Sequence, residues 1–201
     1  MRKAIDTLKN ADPILAALIE TVGPYRIRYS PPDFDTLVKA IVYQQLSGKV
    51  AATIFGRLQA AAGDGRLTSE ATLALTPQKM RALGLSRQKI GYIRDIARHT
   101  QSGETDFAAL PKMKDEEAVR VLTSLKGVGV WTAQMFLMFA LRRKDVLPSG
   151  DLGIRAAVKK AYGFEKLPMP SEVDAVGAKW RPYRTVGSWY LWRSLEPNAN
   201  L

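Results

Sequence analysis

The chain has 201 residues, 46% of them hydrophobic and 24% charged, enough for one or two compact lobes with real cores. Its 30 Lys and Arg face 19 Asp and Glu, and the net charge of +11 points to a polyanionic partner more than to solubility alone. The absence of cysteine excludes disulfides, thiol nucleophiles, cysteine-ligated zinc and iron–sulfur clusters, and the single His99 cannot build a histidine metal site.

In chain order, MRKAIDTLKNADP has no continuous apolar run and does not read as a secretory signal. Asp12 is placed to cap a helix that begins at Pro13 and stops at Gly23, with Ile14, Leu15, Leu18 and Ile19 on its apolar face. Tyr25 to Tyr29 alternates weakly and is the one strand candidate. A helix follows from Phe34 to about Gln44. Ser47 is expected to cap the next one, which Gly63 stops. Thr76-Pro77 starts a short helix ended by Gly84, and Ser86 caps another that runs toward Gly103. His99 falls near the end of that helix and is given no role. Residues 115–125, 130–142, 152–162, 171–180 and about 183–195 complete roughly ten helices. The expected fold is therefore all-α, one domain over residues 1–201, with room for two helical lobes flanking a cleft. No window approaches the length of a membrane span, and a monomer in a reducing cytoplasm is expected.

The chemistry concentrates in residues 122–163. An apolar helix ends at Leu125, Lys126-Gly127-Val128-Gly129 follows, and a second apolar helix begins. Two glycines in four residues permit a tight hairpin and uncover backbone amides beside a helix N-terminus, where the dipole is positive. Such a place suits phosphate. About twenty residues on, Leu147-Pro148-Ser149-Gly150-Asp151 puts a carboxylate where a new helix starts. Taken alone, Asp151 fits an ordinary N-cap as well as a catalytic acid.

The order of helix, LKGVGVWTA hairpin, second helix and PSGD loop resembles the helix-hairpin-helix, Gly/Pro-rich, Asp superfamily of DNA glycosylases. Within it, the match is to the 3-methyladenine DNA glycosylase II branch. The segments AIVYQQLSGKVAA (40–52), LGLSRQKIGYIRDIA (83–97) and WRPYRTVGSWYLWR (180–193) share the likeness. The resemblance implies double-stranded DNA with damaged bases as partner and no organic cofactor. It implies that Asp151 stabilises the cation-like sugar formed when the C1′–N bond breaks. A base methylated on a ring nitrogen leaves as a neutral molecule, so one carboxylate can suffice.

The same resemblance assigns the remaining site residues. Trp131 and Trp192 would line the pocket of the flipped base, with Tyr43, Met135 and Trp189 as further candidates; each of these also fits a core position. Gln45 and Leu46 would wedge into the gap left by the extruded nucleotide. Lys126, Gly127, Gly129 and Thr132 would hold the phosphate backbone, and the hairpin carbonyls could take a monovalent cation. Arg142, Arg143, Lys144 and Arg155 are additional phosphate candidates. In bifunctional relatives a lysine stands two residues after the second hairpin glycine; here that residue is Trp131, which cannot form a Schiff base. A noncatalytic DNA-binding protein, or a glycosylase for deaminated or oxidised bases, remains open at this point.

Overall fold

A computed structural model describes residues 1–63 and 65–195. Among the described residues there are twelve α-helices and no β-strand, and the chain divides into two compact units. No described helix is long and apolar enough to cross a membrane.

The first unit comprises Met1–Tyr29 and Leu137–Leu201. It holds α1 (Arg2–Ala11), α2 (Pro13–Val22), α10 (Leu152–Tyr162), α11 (Pro170–Gly177) and α12 (Arg184–Leu195). α12 packs on α10 and α2, and α1 packs on α2. The middle of α12, Thr185 to Leu191, is buried all round, so periodicity does not mark a polar face there. Leu8, Leu15, Ile154, Val158 and Trp180 close the core around it. As the sequence predicts, Asp12 caps α2, accepting from the Ile14 and Leu15 amides at 3.0 and 3.2 Å. It is fully buried and also accepts from Tyr162 Oη at 2.5 Å and Trp180 Nε1 at 2.8 Å. A buried carboxylate needs this many donors to offset the loss of its water.

The second unit, Ser30–Phe136, holds α3 (Phe34–Tyr43), α4 (Gly48–Ala62), α5 (Ser69–Ala74), α6 (Pro77–Ala82), α7 (Arg87–Gln101) and α8 (Asp115–Thr123). α7 is its centre, touching α3, α5 and α6. Side-chain caps start four of these helices: Asp33 for α3, Thr68 for α5, Thr76 for α6 and Ser86 for α7. The chain passes from this unit to the first within α9 (Val130–Phe139).

The structure corrects several expectations. Tyr25 to Tyr29 has no partner strand; its alternation arises because Tyr25 packs edge-on to Trp189, 4.8 Å between ring centroids. Ser47 occupies the N-cap position of α4 without a side-chain bond to the helix. α9 ends at Phe139 and not near 142, because Arg142 takes a left-handed φ of 56° that no helix accommodates. α1 and α5 were not expected. Ala4, Ile5 and Leu8 do form an apolar stripe on α1, but it is short and set among charged residues, and α5 has six residues.

Candidate active site

The hairpin between α8 and α9 is built in the second unit. Gly127 has φ +83°, and a β-carbon there would lie 2.2 Å from Tyr92 Cδ2, so only glycine fits against that ring. Gly129 is different: a β-carbon would meet nothing within 4 Å, leaving its backbone open to approach. The amides of Gly127, Gly129 and Val130 donate to no acceptor among the described residues. Three such donors beside the N-terminus of a ten-residue helix make a site for an anionic oxygen.

Two residues expected at that phosphate site also make contacts within the second unit. The Lys126 amide donates to Asp95 Oδ2 at 3.0 Å, and its ammonium lies 3.1 Å from Asp95 Oδ1. Asp95 is buried on α7. Burial pushes its carboxyl up, but the Lys126 amide and ammonium together with His99 overcome this and hold it below the usual range. Lys126 thus fastens the hairpin to α7. Thr132 is 5% exposed, and its Oγ1 accepts from Gln44 Nε2 at 3.4 Å, an interior contact in place of a surface hydroxyl.

The second component is the turn after α3. Gln44 Nε2 donates to the Gly127 carbonyl at 3.1 Å, joining this turn to the hairpin. On its other side Lys89 Nζ, from α7, donates to the carbonyls of Val42 at 2.7 Å and Gln44 at 2.6 Å. A cation at the C-terminal end of α3 opposes the helix dipole favourably. Burial lowers the Lys89 pKa. Between these clamps, Gln45 is exposed with φ 58°, and Leu46 is 38% exposed. A left-handed non-glycine costs roughly 1–2 kcal/mol and persists only where neighbours over-determine it. The two expected wedge residues therefore sit on a fixed, strained tip.

Beside this turn lies a recess of about 510 Å³ whose walls include Tyr43, Gln45, Trp131 and Met135. Trp131, on the first turn of α9, is 49% exposed, so an aromatic face is presented to the recess. Met135 lies one helical turn further on and is half-buried. Three of the expected pocket residues, Tyr43, Trp131 and Met135, are thus brought together. A volume of this size accommodates a purine base.

The third component belongs to the first unit. The Asp151 amide donates to the Pro148 carbonyl at 2.9 Å, closing the PSGD turn. Its Oδ1 accepts from the Ile154 amide at 2.8 Å, the N-cap bond of α10, and from Trp192 Nε1 at 2.9 Å. Asp151 is half-buried. Trp192 is stacked with Phe139, 6.2 Å between centroids at 28°. Gly153 makes room for the pair, since a β-carbon there would lie 3.1 Å from both Asp151 Oδ1 and Trp192 Cδ1. The carboxylate is held by two donors at a positive helix end, the arrangement that keeps a negative charge fixed in direction.

Trp192 is therefore a partner of Asp151, through an indole N–H that the sequence did not reveal. Trp189 is 3% exposed and packs among Tyr25 and Tyr190, so it is a core residue and not a pocket wall. Arg155 Nε donates to the Pro168 carbonyl at 2.7 Å, pinning a loop. No cluster of three or more His, Asp or Glu that could hold a metal occurs among the described residues. Each of the hairpin carbonyls of Leu125, Gly127 and Gly129 already accepts a hydrogen bond, from the Val128 amide, Gln44 and the Ala133 amide respectively.

The chain is similar to several known proteins. Residues 38–182 match the family model described as HhH-GPD superfamily base excision DNA repair protein. The chain is 34% identical over 200 residues to DNA-3-methyladenine glycosylase 1 of Schizosaccharomyces pombe, covering 96% of this chain and 87% of that one. The crystal structure of a DNA-3-methyladenine glycosidase from Bacillus halodurans superposes with a TM-score of 0.87 at 36% identity, over 96% of this chain and 89% of that one. The 3-methyladenine DNA glycosylase of S. pombe in complex with abasic DNA superposes with a TM-score of 0.85 at 34% identity, over 95% of each chain.

Proposed function

The chain belongs to the HhH-GPD superfamily of base excision DNA repair proteins, and we propose that it is a monofunctional glycosylase that removes alkylated purines from duplex DNA, working as a monomer. The observation that carries this reading is Asp151, held through Oδ1 by the Ile154 amide and the Trp192 indole at the head of α10.

In the proposed reaction, the open amides of Gly127, Gly129 and Val130 take a phosphate oxygen of the damaged strand. Gln45 and Leu46 fill the space that the extruded nucleotide vacates, because lost stacking must be replaced. The base stacks on Trp131; a ring-methylated purine carries positive charge, and an indole face attracts a cation by about 0.5–2 kcal/mol. The C1′–N bond then breaks with its electron pair going to the base, which departs neutral. The sugar takes up the positive charge, and the Asp151 carboxylate stabilises it. A water oxygen bonds to C1′ and gives up a proton to the surrounding solvent, leaving an abasic site. Trp131 stands where a lysine would be needed for Schiff-base chemistry, so the strand stays intact.

Duplexes carrying single 3-methyladenine, 7-methylguanine, 1-methyladenine or hypoxanthine lesions test this reading. Chromatography of the products should show free methylated purine, and borohydride should trap no protein–DNA adduct. Trapping that keeps pace with base release would contradict the monofunctional assignment. Release from none of the methylated duplexes would contradict the substrate class.

A further inference from the structure

The basic loop that follows α9 holds Arg142, Arg143 and Lys144, which the sequence offers as phosphate candidates and which lie outside the site built above. Arg142, Arg143 and Lys144 line a recess of about 370 Å³ in the first unit, together with Lys3, Tyr25 and Tyr29. Four cations thus meet in one concavity, and no Asp or Glu is among its lining residues. The nearest acid in sequence, Asp145, is already compensated. Arg181 Nη1 donates to its Oδ2 at 2.8 Å, and Arg184 Nε donates to its Oδ1 at 2.8 Å.

The loop is also preorganised. Thr185, 2% exposed on α12, donates its hydroxyl to the Arg143 carbonyl at 2.7 Å and its amide to the Lys144 carbonyl at 3.0 Å. The same hydroxyl accepts from the Val146 amide at 3.0 Å. The Arg143 amide reaches back to the Leu137 carbonyl at 2.9 Å. Within this frame Arg142 is held at φ 56°, a conformation that glycine adopts without cost and arginine does not. Its guanidinium lies 5.0 Å above the Tyr29 ring, which fixes the charge at the mouth of the recess. Strain of this kind at a non-glycine residue is characteristic of ligand clamps.

We propose that the Arg142–Lys144 corner is a second phosphodiester site, gripping the sugar–phosphate backbone of DNA in addition to the α8–α9 hairpin. The inference rests on the reading of the protein as a DNA glycosylase. It commits to nucleic-acid phosphate over a small free phosphate, because several cations spread along one open recess suit a chain of phosphates.

The test uses the full chain, with binding to an undamaged duplex followed by anisotropy over a range of salt. R142A/K144A is compared with K159A/K166A, which removes the same charge from exposed lysines elsewhere in the first unit. The corner variant should weaken binding about tenfold and reduce the slope of log K against log salt by roughly 1–2, the signature of one or two lost phosphate contacts. Single-turnover base release at saturating protein should be unchanged, so failure of the corner and failure of the glycosylase reading are separable. R142G offers a second variant that relieves the strained φ. It should melt higher than the parent while binding duplex more weakly. An effect no larger than that of K159A/K166A overturns the proposal. So does an unchanged duplex slope accompanied by loss of inorganic pyrophosphate binding in the corner variant, which would make it a small-anion pocket.

Discussion

Asp12 and Asp151 are near twins by local chemistry. Both cap the first turn of a helix, and both accept a hydrogen bond from a tryptophan N–H, Trp180 for one and Trp192 for the other. Their surroundings differ. Asp12 is fully buried, with Tyr162 and Lys179 completing its partners, whereas Asp151 is half-buried at the end of a Pro-Ser-Gly turn. The donors around Asp12 tie α2, α10 and the 3-10 turn at Ala178–Trp180 into one core. Those at Asp151 orient a carboxylate that stays partly exposed. Capping chemistry alone does not separate a structural aspartate from the proposed catalytic one; exposure is what differs between the two.

This comparison can be broken or sharpened by substitution. The largest effect on stability is expected at Asp12. Asp12→Asn strands the Tyr162 hydroxyl or the Trp180 indole in the core and should cost about 3 kcal/mol, while the rate of base release per folded molecule stays intact. Denaturant melts alongside active-site titration check this; a stable variant with a slow rate would reverse the two roles. The same group predicts acid sensitivity. Burial pushes the Asp12 carboxyl up, but Tyr162, Trp180, the Leu15 amide and Lys179 bring it to a net value below the ordinary 3.8. Its stabilising contribution is therefore present above pH 3.8 and lost as pH falls through the folded value. Asp12→Asn should flatten the acid limb of the melting curve.

Smaller effects are expected around the recess and the carboxylate. Trp131→Ala should lose roughly tenfold more activity on 7-methylguanine than on neutral hypoxanthine, a difference of about 1.4 kcal/mol from the lost cation–π contact. Equal losses would make Trp131 a packing residue. Gly153→Ala should slow release by roughly three- to tenfold and shift Trp192 fluorescence, because its methyl must displace Asp151 or Trp192 by a few tenths of an ångström. Parent-like rate and emission would show that their pairing is not needed. Lys89→Met should cost about 1 kcal/mol in stability. It should also slow release from a paired lesion more than from one opposite a gap, since only the paired lesion needs the tip at Gln45 and Leu46. A uniform loss would reduce Lys89 to a fold residue.

Much of this was legible in the sequence. Caps and stops located Pro13–Val22, Gly48–Ala62 and Leu152–Tyr162 because each begins or ends on a residue with a physical reason to be there. The hairpin glycines and Asp151 were visible for the same reason. What stayed hidden depends on contacts between distant positions. Gln44 meets Gly127, Lys89 meets Gln44, Lys126 meets Asp95, and Trp192 meets Asp151, pairs separated by 83, 45, 31 and 41 residues. No local pattern carries such information. Trp189 and Trp192 stand three residues apart on α12, yet one is core and the other touches the carboxylate. A helix buried around its middle has no polar face from which to tell them apart.

The central claim is that the charge of Asp151 drives base release. Asparagine retains nearly the same shape and capping ability without the charge. The decisive measurement is single-turnover release of 7-methylguanine from a defined duplex by Asp151→Asn at saturating protein, with melting temperature and duplex affinity measured in parallel. The account predicts a rate lower by roughly a hundred- to a thousandfold, about 3–4 kcal/mol of transition-state stabilisation, with melting and affinity close to the parent. A rate within a few-fold of the parent would leave Asp151 as the second structural cap of the first unit, and would contradict the claim.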